Sequence, residues 1–313
     1  MRRLHLIELE DQAWCPAAVR HGITDLLQLF LGLGNCYAAI LPRLARALEM
    51  SGERDIVDLC SGSGGPWLRL LPYFPKTQLR HVRFTDKYPN VAASRDLVAS
   101  SMGRITVEQE SVDATAVKNL PGLRTLFTAF HHFRPDVARA ILADAVRERA
   151  TIAIFEFTER TAFAIFLFCF SPIAVLLLAP FCRPFRWSTI FLTYVVPVLP
   201  LAAAFDGVVS CLRTYSEAEL REMIANLSPG DYVWEIGQDR SWRSPVPITF
   251  LIGYPRSSVG PAAELGAAPD VEPQPIGSLR VNVSCVAPRR YAWDGKPRQS
   301  IYNAKEQNAY CPF

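Results

Sequence analysis

Residues 57–65, Val-Asp-Leu-Cys-Ser-Gly-Ser-Gly-Gly, close a short apolar run with a glycine-rich turn. Glycines after a strand let the backbone approach a ligand closely and leave the N–H groups at a helix start free to meet it. Asp86 ends the next apolar run, and an acid there is placed to accept hydrogen bonds from both ribose hydroxyls of a nucleoside. Asp113 follows the third run and is placed to accept from an exocyclic adenine amine. Three such features in order, at the carboxyl edge of one sheet, predict a nucleoside-binding crevice. A dinucleotide fingerprint wants a third glycine where Trp67 stands, which disfavours NAD, and no Gly-Lys-Ser/Thr phosphate loop is present.

The arrangement resembles the class I S-adenosylmethionine-dependent methyltransferases. The resemblance rests on Asp58 with Gly62-Ser63-Gly64-Gly65, on Asp86, on Asp113, and on Ala129-Phe130-His131-His132-Phe133 after the fourth strand. It covers about residues 52–159 and 206–256. It implies a Rossmann-like, doubly wound seven-stranded α/β sheet with the last strand antiparallel, and S-adenosyl-L-methionine as cofactor. Carried over, Asp58 lies near the methionine amine, Gly62 and Gly64 lie beside the adenosyl group, Asp86 holds the ribose and Asp113 meets adenine. Ser61, Ser63, Lys87 and Ala114 complete the expected cofactor set.

Methyl transfer from a sulfonium needs few protein groups beyond those that position the acceptor. His131 and His132, at the rim of the expected pocket, are candidates to take a proton from an acceptor. The competing reading has one histidine capping the loop and the other packing. Glu156 joins them as a catalytic candidate; with Glu159 it flanks the end of the fifth strand, where pairing with Arg160 or solvent is the alternative. Tyr37 is either a lid over the cofactor or a core residue.

The elements that must hold these groups alternate. Strand runs at 55–59, 81–86, 105–107, 124–130 and 151–157 are separated by helical stretches, as βαβ units require. Residues 1–51 form a helical lid region, broken near Gly32, Gly34 and Pro42. The α/β domain occupies 52–160 and 206–256, with a capping box at Ser216 and Glu219 and a closing strand pair at 231–237 and 246–253. Between them, 161–182 and 187–205 are uncharged apolar stretches of spanning length, interrupted by Pro172, Pro180, Pro197 and Pro200. This insertion of an apolar helical hairpin reads as two membrane spans, as a re-entrant or interfacial hairpin, or as an apolar cap over the acceptor pocket. It predicts a membrane-associated protein at the cytoplasmic face, with a small apolar or lipid-like acceptor. Residues 257–313 read as a disordered tail.

The 313 residues are half hydrophobic, with a mean hydropathy of +0.12 and a net charge of +3. That balance gives no support to a nucleic-acid partner. The eight cysteines include no CxxC, so neither a disulfide scaffold nor a zinc site is expected. The rival functions are a non-catalytic nucleoside-binding sensor or scaffold and an NAD(P)-dependent reductase.

Overall fold

A computed structural model describes residues 1–256 apart from Asn35, Ser63, Asn90, Pro184, Ser228, Pro229 and 241–243. The expected tail therefore lies outside the described residues.

The chain opens with an irregular segment, then α1 (Ala17–Gly34), a short 3-10 turn, and α2 (Leu41–Ser51), which Pro42 starts and Gly52, at φ 69°, ends. The sheet strands are β1 (Asp55–Asp58), β2 (His81–Phe84), β3 (Ile105–Val107), β4 (Leu123–Phe127) and β5 (Ile152–Glu156). Between them run α3 (Trp67–Leu70), α4 (Val91–Ser100) and α5 (Pro135–Arg147). After β5 come α6 (Ala162–Cys169), α7 (Ser171–Leu178), α8 (Trp187–Tyr194), α9 (Val198–Arg213) and α10 (Glu217–Ile224). A final pair, β6 (Tyr232–Asp239) and β7 (Ile248–Pro255), closes the sheet.

The sheet has seven strands in the order β3-β2-β1-β4-β5-β7-β6. Strands β1 to β5 pair in parallel, and β7 lies antiparallel between β5 and β6. This is the fold class that the resemblance implies. The order reverses beside β1, so the ends of β1 and β4 diverge into different crossovers and leave the crevice in which this sheet type binds ligands. Strand β5 is buried along its whole length, as expected for a central strand covered on both faces.

One face of the sheet packs on α2 and the Trp67–Phe74 stretch through Leu44, Trp67, Phe84 and Phe155. The other packs on α5 and α10 through Val57, Leu126, Ile141 and Leu220. The Asp144 carboxylate on α5 takes the Arg124 guanidinium of β4 at 2.7 Å, a fully buried pair that registers helix against strand. The Ser216–Glu219 capping box opens α10 as the sequence predicts.

The insertion differs from the expected hairpin. It is four helical pieces rather than two, and the proline positions mark the breaks. No single helix among the described residues is long and apolar enough to cross a membrane. The run Ala162–Phe181 bends by 40° and the run Trp187–Arg213 by 82°, so straight spanning helices are excluded for both stretches. The boundary drawn at residue 205 also falls inside α9. Asp206 does not end the helix because its carboxylate leaves the helix surface for the N-terminal segment, where it accepts from the Leu9 and Glu10 N–H groups at 2.6 and 3.2 Å. Gly207 follows because a Cβ there would lie 2.4 Å from the Phe168 ring of α6. Val19, Ile23 and Leu26 of α1 share a core with Val175 of α7 and Leu199 of α9, so the insertion packs on the N-terminal helix. Its outer faces carry Phe163, Phe166, Phe170, Leu177, Trp187 and Phe191, each about half exposed or more.

Candidate functional site

The turn after β1 is built by backbone conformations that side chains resist. Cys60 (φ 56°), Gly62 (φ 51°), Gly64 (φ 107°) and Gly65 (φ 51°) all have positive φ. Cys60 bears a Cβ there at some cost, and its partly buried thiol is pushed far above the ordinary thiol range by desolvation, with the nearby aspartates adding. The glycines have two distinct roles. A Cβ on Gly64 would lie 2.6 Å from Leu97 Cδ1 and 2.9 Å from the Phe84 ring, so this glycine lets the turn press onto β2 and α4. A Cβ on Gly62 or Gly65 would meet nothing within 4 Å, so these face open space.

Asp86 aims at that open side of the turn. Its Oδ2 accepts from the Gly62 N–H at 3.0 Å and its Oδ1 from the Tyr88 N–H at 2.9 Å. Each carboxylate oxygen keeps a second lone pair. Asp113 lies on the adjoining loop, which the Val112 N–H ties to the Asp86 carbonyl at 3.0 Å. Its Oδ1 caps the Thr115 N–H and hydroxyl, which together with Lys87 hold it below the usual carboxylate range. Lys87 Nζ stands 3.5 Å from Asp113 Oδ2, and the Ser111 hydroxyl donates to the Lys87 carbonyl.

The other expected cofactor residues lie deeper. Asp58 is buried beneath the turn, where the Thr125 hydroxyl donates to its Oδ1 at 2.6 Å. Burial pushes its carboxyl up to about 7, against the pull of that hydrogen bond. Ser61 is buried too. Its hydroxyl donates to the Asp58 carbonyl and accepts from the Thr85 N–H, which locks the ends of β1 and β2 together. The Ala114 methyl group is part of the core. Ser63 lies outside the described residues. Trp67 is fully buried, edge-on to Phe127 with centroids 5.4 Å apart, and so fills the position where a dinucleotide site needs glycine. Tyr37 sits in the core beside Phe127, its hydroxyl bonded to Thr128, whose own φ of 46° marks strain just past β4.

His131, His132 and Glu156 are brought together, and all three are drawn into a buried charged cluster. Glu156 Oε1 accepts the Phe130 N–H at 2.7 Å and Oε2 stands 2.6 Å from His131 Nδ1. The histidine rings lie against each other, with centroids 4.3 Å apart. The N-terminal segment covers them. Glu8, with no exposed surface, places Oε2 3.2 Å from His132 Nδ1, and Asp11 Oδ2 stands 3.1 Å from the same nitrogen. Burial works against charge on His132, but Glu8 and Asp11 outweigh it and raise its pKa to about 9. Arg213, at the end of α9, completes the cluster at 3.0 Å from Asp11 and 3.2 Å from Glu8. Glu159 is bonded to Gln238, and Arg160 pairs instead with Glu219.

Sequence reasoning missed Glu8, Asp11, Asp206 and Arg213 here. Glu8 and Arg213 are some two hundred positions apart, so no spacing could pair them. The run Glu8-Leu9-Glu10-Asp11, three acids in an otherwise uncommitted segment, was the available signal.

No family model matches the chain, and no curated protein does. Solved structures align with it at low identity. The pyocyanin biosynthetic protein PhzM aligns at 12% identity and TM-score 0.44, over 72% of this chain and 56% of that one. The O-methyltransferase NcsB1 from neocarzinostatin biosynthesis, solved with S-adenosylmethionine and a naphthoic acid, aligns at 18% identity and TM-score 0.43, over 75% and 58%. The mitomycin 7-O-methyltransferase MmcR aligns at 15% identity and TM-score 0.40. The chain thus spans little more than half the length of these structures.

Proposed function

We propose that this protein binds S-adenosyl-L-methionine across the 62–65 turn and transfers its methyl group to a small apolar acceptor. The observation that carries this reading is the Asp86 carboxylate, fixed by the Gly62 and Tyr88 N–H groups toward the open side of the turn. The residues fit the cofactor. Gly62 and Gly65 leave backbone exposed where an adenosyl group would pass, Asp86 keeps lone pairs for two hydroxyls, and Asp113 and Lys87 offer polar groups one loop away. When bound, the cofactor supplies an electrophilic sulfonium methyl group.

The chain's own part is positional. Asp86 orients the ribose, Gly64 keeps the turn pressed on β2, and the buried Trp67 with the partly buried Phe127 wall the crevice from water. Methyl transfer is an in-line displacement whose rate depends chiefly on holding the acceptor atom in line and dry. The acceptor side adjoins α6 to α8. Their exposed aromatic and aliphatic side chains support an apolar or lipid-like acceptor taken up from a membrane surface.

The test is to incubate the protein with the cofactor and an apolar membrane extract, and to search by mass spectrometry for a product heavier by one methyl group. Cofactor binding with no such product over a broad panel of apolar acceptors would favour a nucleoside-binding scaffold instead.

A further inference from the structure

We propose that Glu8, His131 and His132 form a binding site for a divalent transition cation of the zinc type. The three side chains present ligand atoms that all lie within 4.8 Å of one another. They do so where the N-terminal segment meets the turn after β4.

The orientation of His131 carries the argument. Its Nδ1 stands 2.6 Å from Glu156 Oε2, and a carboxylate can only accept, so the proton is on Nδ1. Nε2 is buried and has no hydrogen-bond partner; Glu8 Oε2 is likewise buried and makes no hydrogen bond, with His132 Nδ1 3.2 Å away. The atom facing Nε2 is Glu8 Oε1, at 3.8 Å. That gap is too long for a hydrogen bond. It is close to the separation of two ligands sharing one ion, since bonds of about 2.0–2.1 Å at a tetrahedral angle put ligand atoms roughly 3.4 Å apart. A neutral imidazole would point a bare lone pair at a carboxylate, and a charged one would point an unanswered N–H. A cation held between the two side chains answers the orphan atoms His131 Nε2 and Glu8 Oε2, while Glu8 Oε1 keeps the Ser210 hydroxyl at 3.0 Å.

The surroundings match what such an ion needs. Glu156 holds the far nitrogen of His131 as a carboxylate does behind a metal-bound histidine, and is itself fixed by the Phe130 N–H. His132 adds a second nitrogen, 3.2 Å from Glu8 Oε2, and Asp11 stands 3.1 Å from that nitrogen. Glu8, Asp11 and Glu156 bring three negative charges. Arg213 answers one of them and the proton on His132 a second; a divalent ion would displace that proton and neutralise the two charges then left. Two imidazoles with one or two carboxylates select zinc-like ions over magnesium or calcium, which prefer oxygen ligands alone. The ion would staple the N-terminal segment to the carboxyl edge of the sheet. Glu156 would be a positioning residue.

The experiment uses the full chain, stripped with a chelator and titrated with Co²⁺ and then with Zn²⁺. One Co²⁺ per chain is expected, with the visible absorption of a tetrahedral nitrogen–oxygen site, displaced by one Zn²⁺. Glu8→Gln and His131→Asn should each weaken binding by at least tenfold, and Glu156→Gln by roughly 10–100-fold, with helical circular dichroism retained. His81→Asn, far from the cluster, should change nothing. Absence of a stoichiometric ion would overturn the proposal. So would affinity that survives in Glu8→Gln, a nearly isosteric change that keeps the fold testable if His131→Asn does not. The readout needs no S-adenosylmethionine, so its failure leaves the methyl-transfer reading standing, and the failure of that reading leaves this one intact.

Discussion

Asp58 and the glycines of the turn give the residue scale two direct tests. The Asp58 carboxyl is raised to about 7 by burial. An unfolded aspartate titrates near 4, so between about pH 4 and about pH 7 the native state holds a proton that the unfolded state has released. Stability therefore falls as pH rises through that window, by up to about 1.4 kcal/mol per pH unit from this group. Asp58→Asn should remove its share of the slope. Asp206, raised by burial to about 6, contributes a slope of its own, so the parent and the variant must be compared across urea titrations at several pH values. Identical slopes would show that Asp58 ionises freely. The glycines separate folding from binding. Gly64→Ala meets Leu97 and Phe84 at a φ that side chains avoid, and should cost about 3 kcal/mol or more. Gly62→Ala meets no atom, so it should cost only the left-handed strain, about 1–2 kcal/mol, while weakening cofactor binding by at least tenfold. Equal losses of stability in the two variants would contradict the two roles.

Element by element, what was legible depended on how local the determinant was. The strands were legible because buried parallel strands are continuous apolar runs ended by turn residues, and each lies within a few positions of its sequence reading. The start of α10 was legible because its cap is made by residues three apart. The course of α9 was not. The insertion reads as ending at 205, yet α9 runs on because the Asp206 carboxylate is satisfied by Leu9 and Glu10 and Gly207 packs on the ring of Phe168, and both partners are remote in sequence. The proposed acceptor face is an element-scale feature as well. Phe163 and Phe166 project from α6, and Phe170 from its junction with α7, each with more than a third of its surface exposed. Replacing all three with serine should reduce co-sedimentation with anionic lipid vesicles several-fold and leave the melting temperature within a few degrees, since little packing is lost. A parent protein that stays in the supernatant would contradict the membrane-surface reading.

At the scale of the whole molecule, the sheet brings three stretches to one edge. The 57–65 turn, Asp86 and Asp113 end the β1, β2 and β3 side, and this part of the candidate site was legible because each acid follows its own strand at a regular place. The charged cluster needs the N-terminal segment folded back over β4 and β5, with Leu4 bonded to Leu212 and Arg3 to the carbonyls of His131 and Phe133. Beyond the acids at 8, 10 and 11, nothing within 1–16 foretells that path, because the energy comes from pairing across the fold.

The measurement that bears most directly on function is isothermal titration of the purified chain with S-adenosylmethionine, beside Asp86→Ala and with NAD as the control ligand. The geometry predicts one site per chain of micromolar strength, a loss on the order of a hundredfold when two hydrogen bonds to a carboxylate are removed, and no heat from NAD. An Asp86→Ala protein that binds as tightly as its parent would contradict the nucleoside crevice, and with it the methyl-transfer account.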